Sequence, residues 1–436
     1  MKRFLALAIA ALMILSCAAC SSDGNGDTTA AEGTTAADTV SDVIAAPAND
    51  DTTAPSETAA PAENGGNTAS PAPADRNNNI NIKPAGTAKP SAGGSSTVTP
   101  PKTDNTPVEV ETDPKKIIVS AEKEWIFTEK ITDSCHASTV LPLDDGSVIA
   151  AWFGGSSEKE NDVNIYTSVR TEKDGWSKPI VVSAAAEIAH WNPVLFQKED
   201  GTVILYFKVG KDTDYWQTYY ATSTDGRSWS TPKELVPGDN SGGRGPVKNK
   251  PIRLKDGTVL APASTEIDGE WRAFVDISND DGETWTRTEN VDSKYCVRFK
   301  VPMIQPTLWQ SADGSVHMLT RTKVGKIYRS DSYDNGKTWC RAYATKLPSN
   351  NSGIDLDTDD QGRIFLAYNN IGAPGIRTPL VLSVSTDDGK TFTKIKTFER
   401  GLAEYSYPAV VVKGDTIHIT YTYERDYIAY WQIKVK

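Results

Sequence analysis

Two arginines stand where strand-forming sequence would ordinarily place an apolar side chain: Arg321 in "HMLTRTKVGK" and Arg377 in "IRTPLVLSVS". A guanidinium presents a rigid fork of donors that matches a carboxylate, so an inward-facing pair points to an anionic ligand. Surface salt bridging would account for either one alone. Other chemistry-bearing residues recur at comparable places: Cys135-His136, His190-Trp191-Asn192, Lys248-Asn249-Lys250, Gln305, Asn351-Ser352 and Tyr405-Ser406-Tyr407, with Trp152, Glu266 and Asn369 in a second series. Each by itself reads more readily as structural. Their recurrence at the starts and ends of strand-like runs points to one shared polar pocket. Lys248 and Lys250 would add positive potential, with one of the two expected to face solvent. Only four histidines occur. His317 and His418 lie inside strand-like segments and read as packing, whereas His136 and His190 open such segments.

The elements that must position these groups are short strands. "DDGSVIAAW", "EDGTVILYF", "KDGTVLAPA", "ADGSVHMLT", "DQGRIFLAY" and "KGDTIHITY" each join a turn to an alternating or apolar run, which is a hairpin signature. No sustained helical periodicity competes with it. A second series of turns ends on Trp176, Trp229, Trp285, Trp339 and Phe392, at spacings of 53, 56, 54 and 53 residues. A period of about fifty with several strands per unit marks a β-propeller blade. Six hairpins predict an all-β, six-bladed propeller over residues 116–436. The last unit lacks an outer strand, and "KIIVSAEKEWIFTEKI" ahead of the first unit is expected to supply it, closing the ring and leaving few unpaired edges.

The turns carry a resemblance. Ser278–Trp285 ("SNDDGETW"), Ser332–Trp339 and Ser385–Phe392 resemble the Asp box of the sialidase superfamily; Ser223–Trp229 is one residue short and "EKDGWS" is degenerate. The resemblance covers about 116–436 and implies a sialidase-like propeller whose boxes sit on the rim away from substrate. It also implies that three arginines grip a substrate carboxylate, a tyrosine paired with a glutamate attacks, and an aspartate serves as acid/base. Arg321 and Arg377 fall where the second and third arginines would. Tyr407, or Tyr405, falls near the nucleophile, and Asp162 near the acid/base. His136 occupies the place of the first arginine and Gln305 that of the glutamate, for which Glu266 is the nearest substitute. A tyrosine without a base is a poor nucleophile at neutral pH, so the chain is most similar to the sialidase-like branch called predicted neuraminidases.

Three functions follow. The first is an exo-acting glycoside hydrolase of the sialidase type, with Arg321 and Arg377 on the carboxylate, Tyr407 attacking, Asp162 protonating and Glu266 assisting. The second is a polysaccharide lyase on a uronate, with His136, His190 and Tyr407 as base and acid and Arg321 on the carboxylate. The third is a non-catalytic glycan-binding head. His190, Asn192, Lys250, Gln305 and Tyr405 are the further substrate-binding candidates.

Composition sets the surroundings. Residues 1–20 read as an export signal, and "CAACSS" resembles a lipobox that would lipidate Cys20, giving a cell-surface lipoprotein or, failing that, a secreted protein. Residues 21–115 are rich in Thr, Ala, Pro and Gly and read as a flexible stalk. The net charge of −11 argues against nucleic acid and an anionic membrane surface as partners; a local basic pocket for an acidic glycan and membrane contact through the lipid anchor stay open. Three cysteines in the head, Cys135, Cys296 and Cys340, make no disulfide framework. "DNGKT" and "DDGKT" lack a phosphate loop's upstream glycine, and "DTDDQG" lacks the twelfth-position glutamate of a calcium loop. The head is expected to work as a monomer without metal or cofactor.

Overall fold

The computed structural model describes residue 111, residues 113–184 and residues 187–436. The export signal, Cys20 and nearly all of the stalk lie outside the described residues. Ile117 is fully buried, and from there the chain builds six sheets of antiparallel strands. The six innermost strands are Ser134–Pro142, His190–Gln197, Ile252–Arg253, Met303–Gln310, Asp355–Thr358 and Tyr405–Lys413. Each begins one blade, numbered 1 to 6 in that order. The only helical element among the described residues is a 3-10 turn at Ile267–Gly269. An extra strand, Ile180–Val182, pairs with the third strand of blade 1, and a small hairpin (Lys294–Cys296 with Phe299–Lys300) stands between blades 3 and 4.

The ring closes as the sequence predicted. Ile118–Trp125 pairs antiparallel with the final strand Tyr427–Val435, from Ile118 opposite Val435 to Trp125 opposite Ala429. Blade 6 is therefore built from both ends of the head. A second tie crosses the seam, where the Cys135 amide donates to the Arg425 carbonyl at 2.7 Å.

Blades pack face to face through alternating apolar side chains. Ile149 and Phe153 of blade 1 meet Leu195, Leu205 and Phe207 of blade 2 in one such core. The box aromatics extend this packing. Trp285 meets Tyr206 of the preceding blade edge-on at 6.3 Å, and Trp176 meets Tyr430 of blade 6 at 5.1 Å. Each full box repeats one hydrogen-bond pattern. In the first, Ser278 Oγ donates to Asp280 Oδ1 at 2.7 Å and receives the Gly282 amide at 2.8 Å, while Asp280 Oδ1 takes the Thr284 amide at 2.9 Å. The glycine is required in blade 4, because Gly336 has φ +80 and a Cβ there would meet Leu260 Cδ1 at 2.6 Å.

One irregularity recurs on the inner strands. Ladder register slips between His136 and Thr139, Trp191 and Val194, Ile304 and Thr307, and Ser406 and Ala409. Inside each slip a non-glycine residue takes positive φ: Ala137, Asn192, Gln305 and Tyr407, with Asn351 doing so ahead of blade 5's inner strand. These are β-bulges that re-aim side chains. In three of the four, proline follows (Pro193, Pro306, Pro408), so the bulge wastes no backbone donor. Holding a tyrosine or glutamine at such φ costs on the order of 1–3 kcal/mol, which the surrounding sheet must override.

Candidate functional site

All of the groups described next come from two places at one end of the ring: the bulged starts of the inner strands, and the loops joining second to third strands. Arg321 ends the second strand of blade 4 (Val316–Thr322). Arg377 precedes the third strand of blade 5 (Leu380–Ser385). Their guanidinium carbons lie 5.6 and 5.4 Å from the ring of Tyr407 in blade 6.

Tyr407 is 8% exposed, and its phenol oxygen receives Arg321 Nη1 at 2.5 Å and Gln305 Nε2 at 3.3 Å. Arg321 Nη1 also donates to Gln305 Oε1 at 3.1 Å, and Arg321 Nε donates to Asn351 Oδ1 at 3.0 Å. One amide orientation of Gln305 satisfies both contacts. Arg321 is thus a buried cation held by neutral partners. Among the described residues no carboxylate oxygen lies within ion-pair distance of it. That combination is unusual, since buried charges are ordinarily paired.

The His136 ring packs on Tyr407 with centroids 4.1 Å apart, and its Nδ1 is 2.8 Å from Thr422 Oγ1. Burial pushes its pKa well below the ordinary histidine value, and Arg425, Arg377, Arg321 and Lys248 push the same way. The imidazole is neutral at physiological pH.

Arg425 is a residue of this cluster that sequence reasoning missed. It sits in the turn joining Thr416–Tyr423 to the final strand, where Glu424 and Arg425 have φ of 54 and 64. Such a two-residue turn ordinarily announces itself with Asn-Gly; "YERDY" gives no such signal. The guanidinium donates to Glu404 at 3.1 Å and to Glu158 at 2.6 Å. Glu404 also takes Arg377 Nη1 at 2.6 Å and Ser406 Oγ at 2.7 Å. Burial alone would raise the Glu404 carboxyl, but Arg377 and Arg425 hold it below the usual carboxylate range. Arg321 thus bonds the phenol directly, while Arg377, 5.4 Å from its ring, is tied to Arg425 through Glu404. Arg425 comes from the closure seam, not from the start of blade 1.

The other expected residues fall as follows. Gln305 touches both Arg321 and Tyr407. Tyr405 turns away; its ring packs on Tyr423 at 5.0 Å, and burial raises its hydroxyl to about 12. His190 is fully buried, with Nε2 accepting the Ala184 amide at 2.9 Å and Nδ1 facing the Ile188 and Val163 carbonyls at 2.9 and 3.1 Å. Its ring nitrogens are spent on backbone groups. Asn192 fills the bulge position of blade 2 and is buried. Glu266 is half-buried beside Arg321 and Lys323; burial raises its carboxyl, and the two cations oppose the rise. No hydrogen bond joins it to Tyr407. Asp162 is exposed on the blade 1 loop, its two oxygens taking the Ser156 amide at 2.8 Å and hydroxyl at 2.9 Å. Trp152 and Asn369 serve packing and backbone bonding.

The lysine expectation needs correcting. Lys248 and Lys250 lie in irregular backbone just ahead of the Ile252–Arg253 strand, where alternation does not apply, and both turn inward. Lys250 Nζ donates to the Leu356 and Val410 carbonyls at 2.7 and 2.6 Å, with Asp355 and Asp357 at 3.6 and 3.8 Å. Lys248 donates to the Ile354 and Pro408 carbonyls. They strap blade 3 to blades 5 and 6 across the channel. Lys250 is a strut, while Lys248, 5.9 Å from the Tyr407 ring, closes the floor beneath the phenol.

With this geometry in place, comparison identifies the family. A model described as a BNR repeat-like domain matches residues 146–419. The chain belongs to the BNR repeat-like family. A search of curated proteins finds no match. Among solved structures, a protein of unknown function from Dyadobacter fermentans aligns at 16% identity and TM-score 0.60, over 73% of this chain and 100% of that one. The Hadza microbial sialidase aligns at 17% identity and TM-score 0.58, over 70% and 66% of the two chains. The Trypanosoma rangeli sialidase bound to the inhibitor DANA aligns at 14% and 0.56, over 72% and 60%. This BNR propeller thus has a sialidase-like fold, and both sialidases extend well beyond the matched part. Pairings this distant speak to fold alone, so the chemistry rests on the residues at the mouth.

Proposed function

We propose that this BNR propeller cleaves the glycosidic bond of a carboxylate-bearing sugar, in the manner of an exo-acting sialidase-type hydrolase. The observation that carries the reading is Arg321: a buried guanidinium without a carboxylate partner, bonded to the phenol of Tyr407. A sugar carboxylate supplies the missing counter-ion, with Arg377 and Arg425 turning to it from Glu404. Tyr407 then lies beside the anomeric carbon as the nucleophile, an arrangement outside the usual two-carboxylate rule. Its O–H proton leaves to solvent, its oxygen bonds the anomeric carbon as the glycosidic C–O bond breaks, and the departing oxygen takes a proton from Glu266 or Asp162. Two N–H donors on the phenol oxygen favour negative charge there as the bond forms and breaks. Glu266, with its carboxyl raised by burial, suits a proton-holding role; Asp162 reaches a leaving group only by releasing Ser156.

Trapping tests the reading. Incubation with 2,3-difluorosialic acid should add one sugar mass to a peptide containing Tyr407; an adduct on another residue would remove the tyrosine from the mechanism, and no adduct at all would remove sialic acid as the sugar. Substituting Asp162→Asn and Glu266→Gln separates the two acids, because loss of the true acid slows poor leaving groups most.

A lyase acting on a uronate is the second reading, favoured by His136, whose ring packs at a tilt against a tyrosine that lacks a carboxylate partner. The burial that depresses His136, with the surrounding cations acting the same way, also makes it a feeble base, which ranks this reading lower. Its signature is an unsaturated product absorbing in the ultraviolet. Glycan binding without turnover in either assay would instead indicate a lectin-like head. We also propose that Cys20 anchors the protein at the bacterial surface; Cys20→Ser should release it from the membrane fraction into the medium.

A further inference from the structure

A second cleft of about 420 Å³ opens beside the mouth, lined by Trp271 and Arg272 on one side and by Lys294, Arg298, Phe299 and Lys300 on the other. That volume suits a small-ligand site. Trp271 forms its common wall with the mouth, since Arg321 Cζ lies 5.1 Å and Lys323 Nζ 3.8 Å from the indole ring. The opposite wall is the hairpin Lys294–Cys296/Phe299–Lys300. Its aromatics are uncovered: Tyr295 is 71% and Phe299 44% exposed, the two rings meeting only each other at 6.2 Å. Its three cations, Lys294, Arg298 and Lys300, form no ion pair with any carboxylate among the described residues. Only Glu270, which pairs with Arg272, brings negative charge to the lining. In a chain of net charge −11, this is a local concentration of free positive charge and open aromatic surface beside the site.

We propose that this cleft binds a second anionic sugar of the same glycan, on the leaving-group side of the scissile bond. The substrate class is accordingly an acidic oligosaccharide or polysaccharide, with negative charge on successive units, rather than a single acidic cap on a neutral chain. The inference rests on the reading of the mouth given above. Phe299 offers a flat apolar face to a sugar ring, while Arg298 and Lys300 offer donors to its carboxylate or sulfate. Trp271 keeps the two sites adjacent without merging them.

The test uses full-length Tyr407→Phe, so that ligands are not consumed, and titrates monomers to tetramers of α2,8-linked sialic acid and of galacturonate by calorimetry. In at least one series the tetramer should bind about tenfold or more tightly than the monomer. The exposed double substitution Arg298→Ala/Lys300→Ala should abolish that gain and leave monomer affinity unchanged, and 0.5 M salt should weaken the gain in the same way. Equal affinity for monomer and tetramer, a gain that survives the double substitution, or no tetramer binding at all overturns the cleft proposal. The monomer arm reads the mouth independently. Tetramer binding that depends on the hairpin, with no monomer binding, would sink the mouth reading and leave the cleft standing.

Discussion

The two ends of the propeller solve opposite problems with the same kinds of residue. At the turn end, three boxes repeat one arrangement, with the aspartate taking a threonine amide at 2.9 Å every time and the threonine hydroxyl at 2.5–2.6 Å. Within this arrangement the serine, aspartate, glycine and threonine all find each other within four residues. At the mouth, Arg321 meets Tyr407 across 86 positions of sequence and His136 meets Thr422 across 286. There the residues differ from blade to blade, backbone is held at costly φ, and one guanidinium lacks a counter-ion. Repetition with full satisfaction marks scaffold. Irregularity with an outstanding electrostatic demand marks a place that expects a ligand.

That contrast can be broken most sharply at the phenol. Tyr407→Phe should lower kcat on an acidic aryl glycoside by about a thousandfold or more with an unchanged melting temperature; retained turnover would mean that the mouth has been misread. Arg321→Ala should cost roughly a hundredfold in kcat/KM, and Arg321→Lys should recover little of it, because a point charge cannot replace the fork that holds Gln305, Asn351 and the phenol together. Arg425→Ala should raise KM about tenfold with a smaller effect on kcat. A loss of folding instead would assign the residue to the closure seam alone.

The turn end should behave the other way. Asp334→Ala removes the acceptor for Ser332, Thr338 and the Thr338 amide. It should cost about 1–3 kcal/mol of stability, read as a fall of a few degrees in melting temperature, with kcat/KM per folded molecule unaltered. A drop in turnover would couple the two ends and weaken the distinction.

The smallest effect is a pH dependence at the two places, of the same sense but in separate intervals. Thr284 holds the Asp280 carboxyl down to about 2, so its contribution to stability is present above the ordinary carboxylate range and is lost as pH falls toward 2. Burial pushes Lys248 down to about 7. Above pH 7 the unfolded chain, with lysine near 10.4, holds the extra proton, so stability rises with pH across that interval. Lys248→Met should flatten part of the alkaline rise, and Asp280→Asn part of the acid loss. Stability curves of both variants parallel to the parent would refute these assignments.

How much was legible follows from the range of each interaction. The six hairpins, the box turns and the closing strand rest on alternation and on turn chemistry within about ten residues, and all could be read directly. Arg321 and Arg377 were visible because a charged fork is out of place in a strand. The distinction between Tyr405 and Tyr407 was not, because it depends on a bulge whose cue, a following proline, had to be recognised as recurring at Pro193, Pro306 and Pro408. Arg425 was illegible for a different reason. Its turn lacks glycine and asparagine, and its neighbours Glu404 and Glu158 lie far off in sequence until the ring closes. His190 was misleading because a strand start can aim a side chain to either side of the sheet, and only packing shows that its nitrogens are spent on backbone.

By itself, then, the sequence determined the blade count, the period, the turn chemistry and the acidic character of the chain, since each depends on near neighbours or on composition. The tertiary structure alone decided which arginines share a mouth, which tyrosine Arg321 bonds, and that two lysines cross the channel as struts. Those outcomes depend on closing a ring of six twisted sheets, which sets residues hundreds of positions apart at hydrogen-bond distance and leaves the buried Arg321 guanidinium without a carboxylate partner among the described residues.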